Sequence, residues 1–580
     1  MPSLKNSNFD KAFIIGSILV VIYLFYPAIN ANIQYITNVE LIGNDSLIYL
    51  PPYYKYLPDS VPSTYQDEYI LNALSPIGYK TMYIAAAKFY DPITLSKFLP
   101  YNLLIFTIIA IGYASYKLSG ALGSICAILM TLAFSADILI STGLDGGTPR
   151  TFAYPIIALV ALGLIQCRPY LLATLTLFSS LFYPMAGVIS GCAMALMMLL
   201  PSAYRPTLSD WSLKKRMSFI IAVAAFSGLI LSSQFLASTE YGPRVTPETV
   251  HLFPEAGAEG VYQPGDTLPN SYAFTWAMQF FKYTFVPNGT PFFDLDQNKE
   301  LYKKITILLW GFIFFAIAIG LQQIVKPENA PVVRLLLLFL AGLLLFILAV
   351  TAQPYLYYPK RYFMFTIPIF ATIIYPYALI RLLNQVKYIN DNNLSGKITI
   401  ITSLILVLLC GGRGYIDNAA PLLPEGGKTF LEKVAKLDNN SIIAGMPYDT
   451  AFNQIRFYSR KNIFISRWEN HALHEDSILN IREKIKSTVK ANYATDIHYV
   501  KKIRDDHNIT HIFINEDDYI EAPKGFSAPI RTFAHETFHS QKDKAIFNNN
   551  AMLQSMIVLQ YDKYTIYDIN KVIDYYENRP

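Results

Sequence analysis

The stretch FSADILISTGLDGGTPRTFAYP, residues 134–155, decides the class of fold. Asp137 sits inside an apolar run, and Asp145, two glycines, a proline and Arg150 follow before the apolar pattern resumes at Phe152. An ionised carboxylate in hydrocarbon costs about 3 kcal/mol or more, so such a residue faces a cavity, a partner or the headgroups. The stretch reads as the end of one membrane span, a short charged turn, and the start of the next.

Outward from that turn the rest of the chain has the same character. Of 580 residues 53% are hydrophobic, 14% aromatic and only 15% charged, and the apolar surface comes in long blocks. A helix needs about 17 to 25 apolar residues to cross the hydrocarbon core. About eleven candidate spans come close to that, near 12–29, 101–116, 120–142, 152–166, 170–183, 185–201, 218–236, 305–325, 335–352, 362–380 and 398–412. The expected fold is therefore an α-helical polytopic membrane protein.

Orientation follows from lysines and arginines. With the N-terminus cytoplasmic, the inside loops hold Lys5 and Lys11, then Lys117, Arg168, Arg205, Lys214, Lys215, Arg216, Lys326, Arg334, Arg381, Lys387 and Lys397, as the positive-inside rule requires. The first loop (30–100), the loop at 237–304 and everything after about 413 then lie outside. The first span has basic flanks and no A-x-A-like site after it, which reads as an anchor. These loops account for the net charge of +5, which implies no nucleic-acid partner.

Cys126, Cys167, Cys192 and Cys410 all fall in or beside spans, so no disulfide framework is legible. The tail, 414–580, must then fold on its own core. SIIAGMP, NIFISR, THIFIN, SMIVLQY and YTIYDI are β-branched runs, and DSILNIREKIKSTVKANY between them places Ile478, Ile481, Ile485 and Val489 at helical spacing. That alternation predicts a soluble α/β domain over 414–580, beside a transmembrane module over 1–413.

The first loop is too long to be a mere connector. It offers Asp45, Asp59, Asp67 and Glu68 as carboxylates, and the spacing of Met82, Ala85 and Phe89 makes its second half helical. Each acid alone is also what a solvated loop carboxylate looks like. The external cations are few: Arg150, Arg244 in YGPRVTP, and Lys360 with Arg361 beside Tyr362 in PYLYYPKRYFMF. Positive charge outside runs against the orientation bias. Its local reason is pairing with those acids, an anionic ligand gripped through parallel donors, or lipid headgroups. Paired aspartates are also able to hold Mg²⁺ or Mn²⁺.

With its cytoplasmic N-terminus, acidic first external loop, acid near the second external turn and late span beginning with the RY pair, the chain over roughly 10–412 resembles the GT-C superfamily of integral membrane glycosyltransferases. GGTPRTFAYP and LFYPMAG also look like stretches of bacterial multi-span proteins of this type with an α/β tail. The resemblance implies transfer of a sugar from a polyprenyl phosphate or pyrophosphate carrier to an extracytoplasmic acceptor at a bacterial inner membrane. It further implies that a first-loop carboxylate, Asp45 or the Asp67/Glu68 pair, is the base or acceptor-orienting group; the placement of the charges themselves adds Asp137 as a catalytic candidate and Arg150, Arg244, Lys360, Arg361 and Tyr362 as substrate-binding candidates. No WWD motif is present, the tryptophans being isolated at 211, 276, 310 and 468, which disfavours transfer of a whole glycan to asparagine.

Two other classes compete. A transporter or flippase would explain the spans and a membrane carboxylate, but transporters have short loops and visible halves. HETFH, residues 535–539, matches the zinc-peptidase motif letter for letter. Its third ligand is the difficulty: no histidine follows His539 and the one later glutamate is Glu577. A reporter active only outside the cytoplasm, fused at Pro580, is expected to be active; an inactive one would reverse the face on which every candidate residue is placed.

Overall fold

A computed structural model describes residues 46–134, 145–237, 239–246, 248–257, 329–351, 359–385, 427–466, 473–526, 528–548 and 550–578, with isolated positions at 33, 36, 398 and 401. The expected spans near 12–29 and 305–325, and nearly all of 398–412, lie outside the described residues. Among those described, the chain is mostly helical, with one small sheet.

The helical part begins with α1 (Ile77–Ala87) in the first loop. It ends before Phe89, which is left 80% exposed in the turn leading to Pro92. Next comes α2 (Pro92–Phe134), broken at Gly120, whose φ of 75° no residue with a Cβ adopts cheaply. There α2 folds back on itself. Ser115 Oγ donates to Gly123 O at 2.9 Å and Ser124 Oγ to Gly112 O at 2.8 Å, so small residues let the two arms touch while their hydroxyls are satisfied.

After the 145–152 turn follow α3 (Ala153–Ile165), α4 (Pro169–Phe182), α5 (Pro184–Leu199), α6 (Leu213–Ala237), α7 (Ala330–Thr351) and α8 (Lys360–Gln385). Four segments among the described residues are long and apolar enough to cross a membrane: Pro92–Thr131, Leu213–Ser232, Ala330–Ala349 and Arg361–Arg381. The α8 segment is 94% buried and the α6 segment 6%, so α8 is the axis of the bundle and α6 stands at its rim. Tyr154 Oη donates to Met364 O at 3.2 Å, tying α3 to that axis. The outward face of α2 exposes Phe98, Ile105, Phe106, Ile109, Tyr113 and Tyr116, with the Lys117 ammonium 5.0 Å from the Tyr113 ring at its end. An apolar helix face closed by an aromatic–lysine pair is what a lipid-facing surface requires.

The bundle end opposite the first loop is closed by arginines. Arg334, 4% exposed at the start of α7, donates to Leu164 O at 2.7 Å, Tyr204 O at 2.7 Å and Ile165 O at 2.5 Å, covering orphan carbonyls at the end of α3. Arg205 and Arg216 do the same for α5, through Leu200 O at 2.6 Å and through Met198 O.

The C-terminal part builds a five-stranded sheet. Its elements are α9 (Gly427–Val434), β1 (Ile442–Ala444), α10 (Thr450–Gln454), β2 (Asn462–Ile463), α11 (Glu475–Asn492), α12 (Ile497–His507), β3 (His511–Asn515), α13 (Ala528–Gln541), β4 (Ile557–Tyr561), β5 (Tyr564–Asp568) and α14 (Ile569–Glu577). The order is β2-β1-β3-β5-β4; β1 runs parallel to β2 and β3, and β5 runs antiparallel to β3 and β4. Every β-branched stretch named above supplies a strand. Side chains alternate between faces: Ile443, Phe513 and Ile566 pack with Phe430 and Phe452, while Ala444, Ile512, Ile514 and Tyr567 pack with Ile478, Ile481 and Ile485.

Arg334→Ala should destabilise the bundle by about 3 kcal/mol, since it uncovers three buried carbonyls, and Arg334→Lys should recover part of that. The measurement is thermal unfolding of the full chain in detergent, and an unchanged midpoint in both variants would contradict the capping role.

Candidate active site

The turn that opened the sequence analysis is gripped from above. Gly146 and Gly147 have φ of 62° and 63°, and a Cβ at Gly147 would lie 2.7 Å from Ser96 Cα and 2.7 Å from Tyr83 Oη. Only a residue without a side chain fits there. Ser46 Oγ donates to Gly146 O at 3.0 Å and Tyr83 Oη to Gly147 O at 2.9 Å. Behind Tyr83 stands a block of first-loop tyrosines, with Tyr53 stacked on it at 4.9 Å between ring centroids and Tyr79 tilted against it at 4.8 Å. Gly78 of α1 approaches so closely that its Cβ would meet Leu181 Cβ at 2.9 Å, which seats the loop on the end of α4.

From this turn a chain of contacts runs across the end of the bundle. Ser96 touches Gly147, and the next residue, Lys97, is buried at 3% exposure near the start of α2. Arg150, half-buried, stands in the Pro149–Phe152 turn. Phe152 packs on Phe182 at 4.7 Å, and the neighbouring Tyr183 accepts a hydrogen bond from Arg361 Nη1 at 3.3 Å. Lys97, Arg150 and Arg361 are thus each linked to the turn by neighbouring residues: Lys97 follows Ser96, Arg150 lies in the turn, and Arg361 bonds Tyr183, next to the Phe182 that packs on Phe152. Lys97 is the one the sequence analysis passed over. Its signal was a lone lysine, in LSKFLP, just before an apolar helix face.

The other expected residues fall elsewhere. Asp45 and Asp137 lie outside the described residues, as do the side chains of Asp145 and Lys360. Tyr362 is 2% exposed and packs in the bundle core between α7 and α8. Asp67, 4% exposed, closes a capping box with Thr64, accepting from its amide at 2.8 Å, and pairs with Arg456 of the C-terminal part. Glu68 pairs with Lys55. Burial works against its charge, but the hydrogen bond from Lys55 and the charges of Lys55 and Lys80 outweigh that and hold it below the ordinary range. A carboxylate stabilised in this way is a weak proton acceptor.

Arg244 lies in a separate joint. Its backbone bridges His474, Val245 N donates to Leu473 O at 3.0 Å, and Tyr69 Oη lies 3.1 Å from His474 Nδ1. Burial, with the nearby Arg244 charge, pulls His474 down to about 4, so this ring is neutral throughout the physiological range. Beside it Glu255, 2% exposed, accepts two hydrogen bonds from Arg482 at 2.6 and 2.7 Å.

HETFH lies on α13 with the His535 and His539 rings 6.5 Å apart. His535 Nε2 is 3.1 Å from Pro523 O, which commits that nitrogen as a donor. Among the described residues no group of three or more His, Cys, Asp or Glu is placed to hold a metal ion.

No protein-family model and no curated protein matches the sequence. Solved structures do resemble the fold. The Archaeoglobus fulgidus oligosaccharyltransferase complexed with Zn and sulfate is 11% identical, over 87% of this chain and 68% of its own, at a TM-score of 0.47. The same organism's AglB with an inhibitory peptide and a dolichol-phosphate is 11% identical over 88% and 70%, at 0.46. ArnT from Cupriavidus metallidurans bound to undecaprenyl phosphate is 10% identical over 97% and 98%, at 0.38. Two of these neighbours hold a polyprenyl phosphate, dolichol-phosphate in one and undecaprenyl phosphate in the other. At such identities and scores the likeness says nothing about individual residues.

Gly147→Ala should cost about 1–3 kcal/mol from backbone strain alone, with the Ser96 contact in addition. Gly228→Ala, in α6 with nothing within 4 Å of the new methyl, should be neutral or slightly stabilising. Melting curves of the two variants in detergent make the comparison, and equal midpoints would remove the close approach from the account.

Proposed function

We propose that the protein is a membrane glycosyltransferase that moves a sugar from a polyprenyl phosphate or pyrophosphate carrier to an acceptor at the bundle end covered by the first loop. The observation that carries this reading is the Ser46–Gly146 hydrogen bond. It ties the start of the loop to the turn that holds Arg150, in a region where Lys97 is buried and Arg361 is hydrogen-bonded.

In this reading the cations take the phosphate. Negative charge grows on the leaving oxygen as the glycosidic bond breaks, and fixed ammonium and guanidinium groups in a poorly solvated site stabilise it most when it is fully developed. Arg361 is suited to two parallel donors on a phosphate, Lys97 to a point charge. Asp45 takes the acceptor hydroxyl's proton and Asp137 orients the loop; were a divalent cation such as Mg²⁺ or Mn²⁺ used, these aspartates would be the residues to hold it, and it would supply charge to the departing phosphate. Asp67 and Glu68 keep the loop in shape through their pairs with Arg456 and Lys55.

By the positive-inside rule the end closed by Arg205, Arg216 and Arg334 is cytoplasmic. The site and the C-terminal part then face outward, as at a bacterial inner membrane, and the acceptor is an envelope glycan, lipid or protein.

The test is transfer of a labelled sugar from a polyprenyl carrier by the full chain in proteoliposomes. Asp45→Asn should lower turnover by about two to four orders of magnitude. Arg361→Ala should raise the donor KM by about tenfold or more, with Arg361→Lys intermediate. Wild-type rates in Asp45→Asn and Asp137→Asn, with Asp67→Asn or Glu68→Gln dead, would move the base along the loop. Carrier movement across the bilayer without transfer would replace the enzyme with a flippase.

A further inference from the structure

The C-terminal part meets the first loop at several places, among them Tyr69 with His474, Gln66 with Ser466, and a short segment after α10. Residues Ile455–Ser459 form a single wide π-helical turn after α10, and it ends at Arg460, whose backbone is left-handed with φ of 52°. Phe457 of this turn is 1% exposed and belongs to the bundle core that includes Leu50, Tyr53, Tyr79 and Tyr83, while Tyr54 Oη donates to its carbonyl at 3.2 Å. Two arginines flank it and reach into the loop, Arg456 to Asp67 and Arg460 to Asp91.

These pairs differ in kind. Arg460 and Asp91 are about one-third exposed, so screening leaves them little weight. Arg456 and Asp67 have side chains only 8% and 5% exposed. The Arg456 guanidinium also donates to Asn462 Oδ1 at 2.5 Å, so one fork joins strand β2 to the loop. Asp67 in turn holds the Thr64 cap of the Tyr65–Tyr69 helix. The loop continues to Tyr79 and Tyr83, and Tyr83 holds the Gly147 carbonyl beside Arg150.

We infer that Arg456 is a positioning residue. It helps to fix where the first loop stands over the turn that carries Arg150, which makes the C-terminal part a working piece of the active-site apparatus and not only a tethered module. The inference rests on the reading under Proposed function, since positioning has meaning only if the loop carries the base. A buried carboxylate stripped of its cation is far less tolerable than the loss of both charges, so the pair should behave as a coupled unit.

The experiment uses the full chain in detergent, with Arg456→Met, Asp67→Asn, the double variant and Arg456→Lys. Loop order is read by trypsin cleavage at Lys88, the exposed end of α1. Transfer is read as separate kcat and donor KM. Each single variant should speed cleavage about tenfold or more and lower kcat about tenfold or more, with donor KM within about threefold of wild type. The double variant should lie closer to wild type than either single one, and Arg456→Lys should restore part of kcat. Wild-type cleavage in Arg456→Met overturns the inference, and so does unchanged kcat alongside faster cleavage, which would make the pair merely structural. If the wild-type chain transfers no sugar, the glycosyltransferase reading falls and positioning falls with it. The cleavage series then still separates a loop held by Arg456 from one that is not.

Discussion

A turn that joins two helices inside a poorly solvated bundle leaves carbonyls with no helical partner, and each must find a donor from the protein. At Gly146 and Gly147 the donors are Ser46 and Tyr83, both from the first loop. This clasp explains the composition of the turn. Glycine is required because Ser96 and Tyr83 occupy the space a side chain would need. Tyr83 suits its place because a hydroxyl at the end of a rigid ring reaches the buried Gly147 carbonyl while its ring packs on Tyr53 and Tyr79. Burial drives the Tyr53 and Tyr79 hydroxyls well above their ordinary range, so they stay neutral and add no charge to the interior.

Cations serve opposite ends of the bundle in different ways. At one end Arg334, Arg205 and Arg216 are spent on helix carbonyls, and their charge is matched to the negative ends of α3 and α5. At the other, Lys97, Arg150 and Arg361 gather near a turn whose carbonyls are already taken by hydroxyl donors. The first set has a structural reason that complements the topological one.

With no disulfide expected in the loops, polar joints do the holding. Asp67–Arg456 and Glu255–Arg482 each pair a nearly buried carboxylate with a guanidinium across a long sequence separation, and Tyr69 with His474 completes the contact. Such pairs contribute less to net stability than apolar packing would, because both charges lose water. Their value lies in register: a forked donor and a carboxylate accept one alignment and penalise a slip.

Much of the layout was legible in local pattern. Hydropathy marked the α2 arms and α3 to α8; β-branched runs marked all five strands; the spacing of Ile478, Ile481 and Ile485 marked α11. These signals are local because they come from one element meeting one environment, at a period of two or 3.6 residues. What only the tertiary structure decided was pairing. Asp67 is held against Arg456, 389 positions away; the backbone of Arg244 bridges His474; Lys97, which the sequence analysis passed over, is buried near the start of α2. No periodicity records a partner that distant. A charge's role is set by which opposite charge or hydroxyl the fold brings within about 3 Å, and that depends on the path of the whole chain.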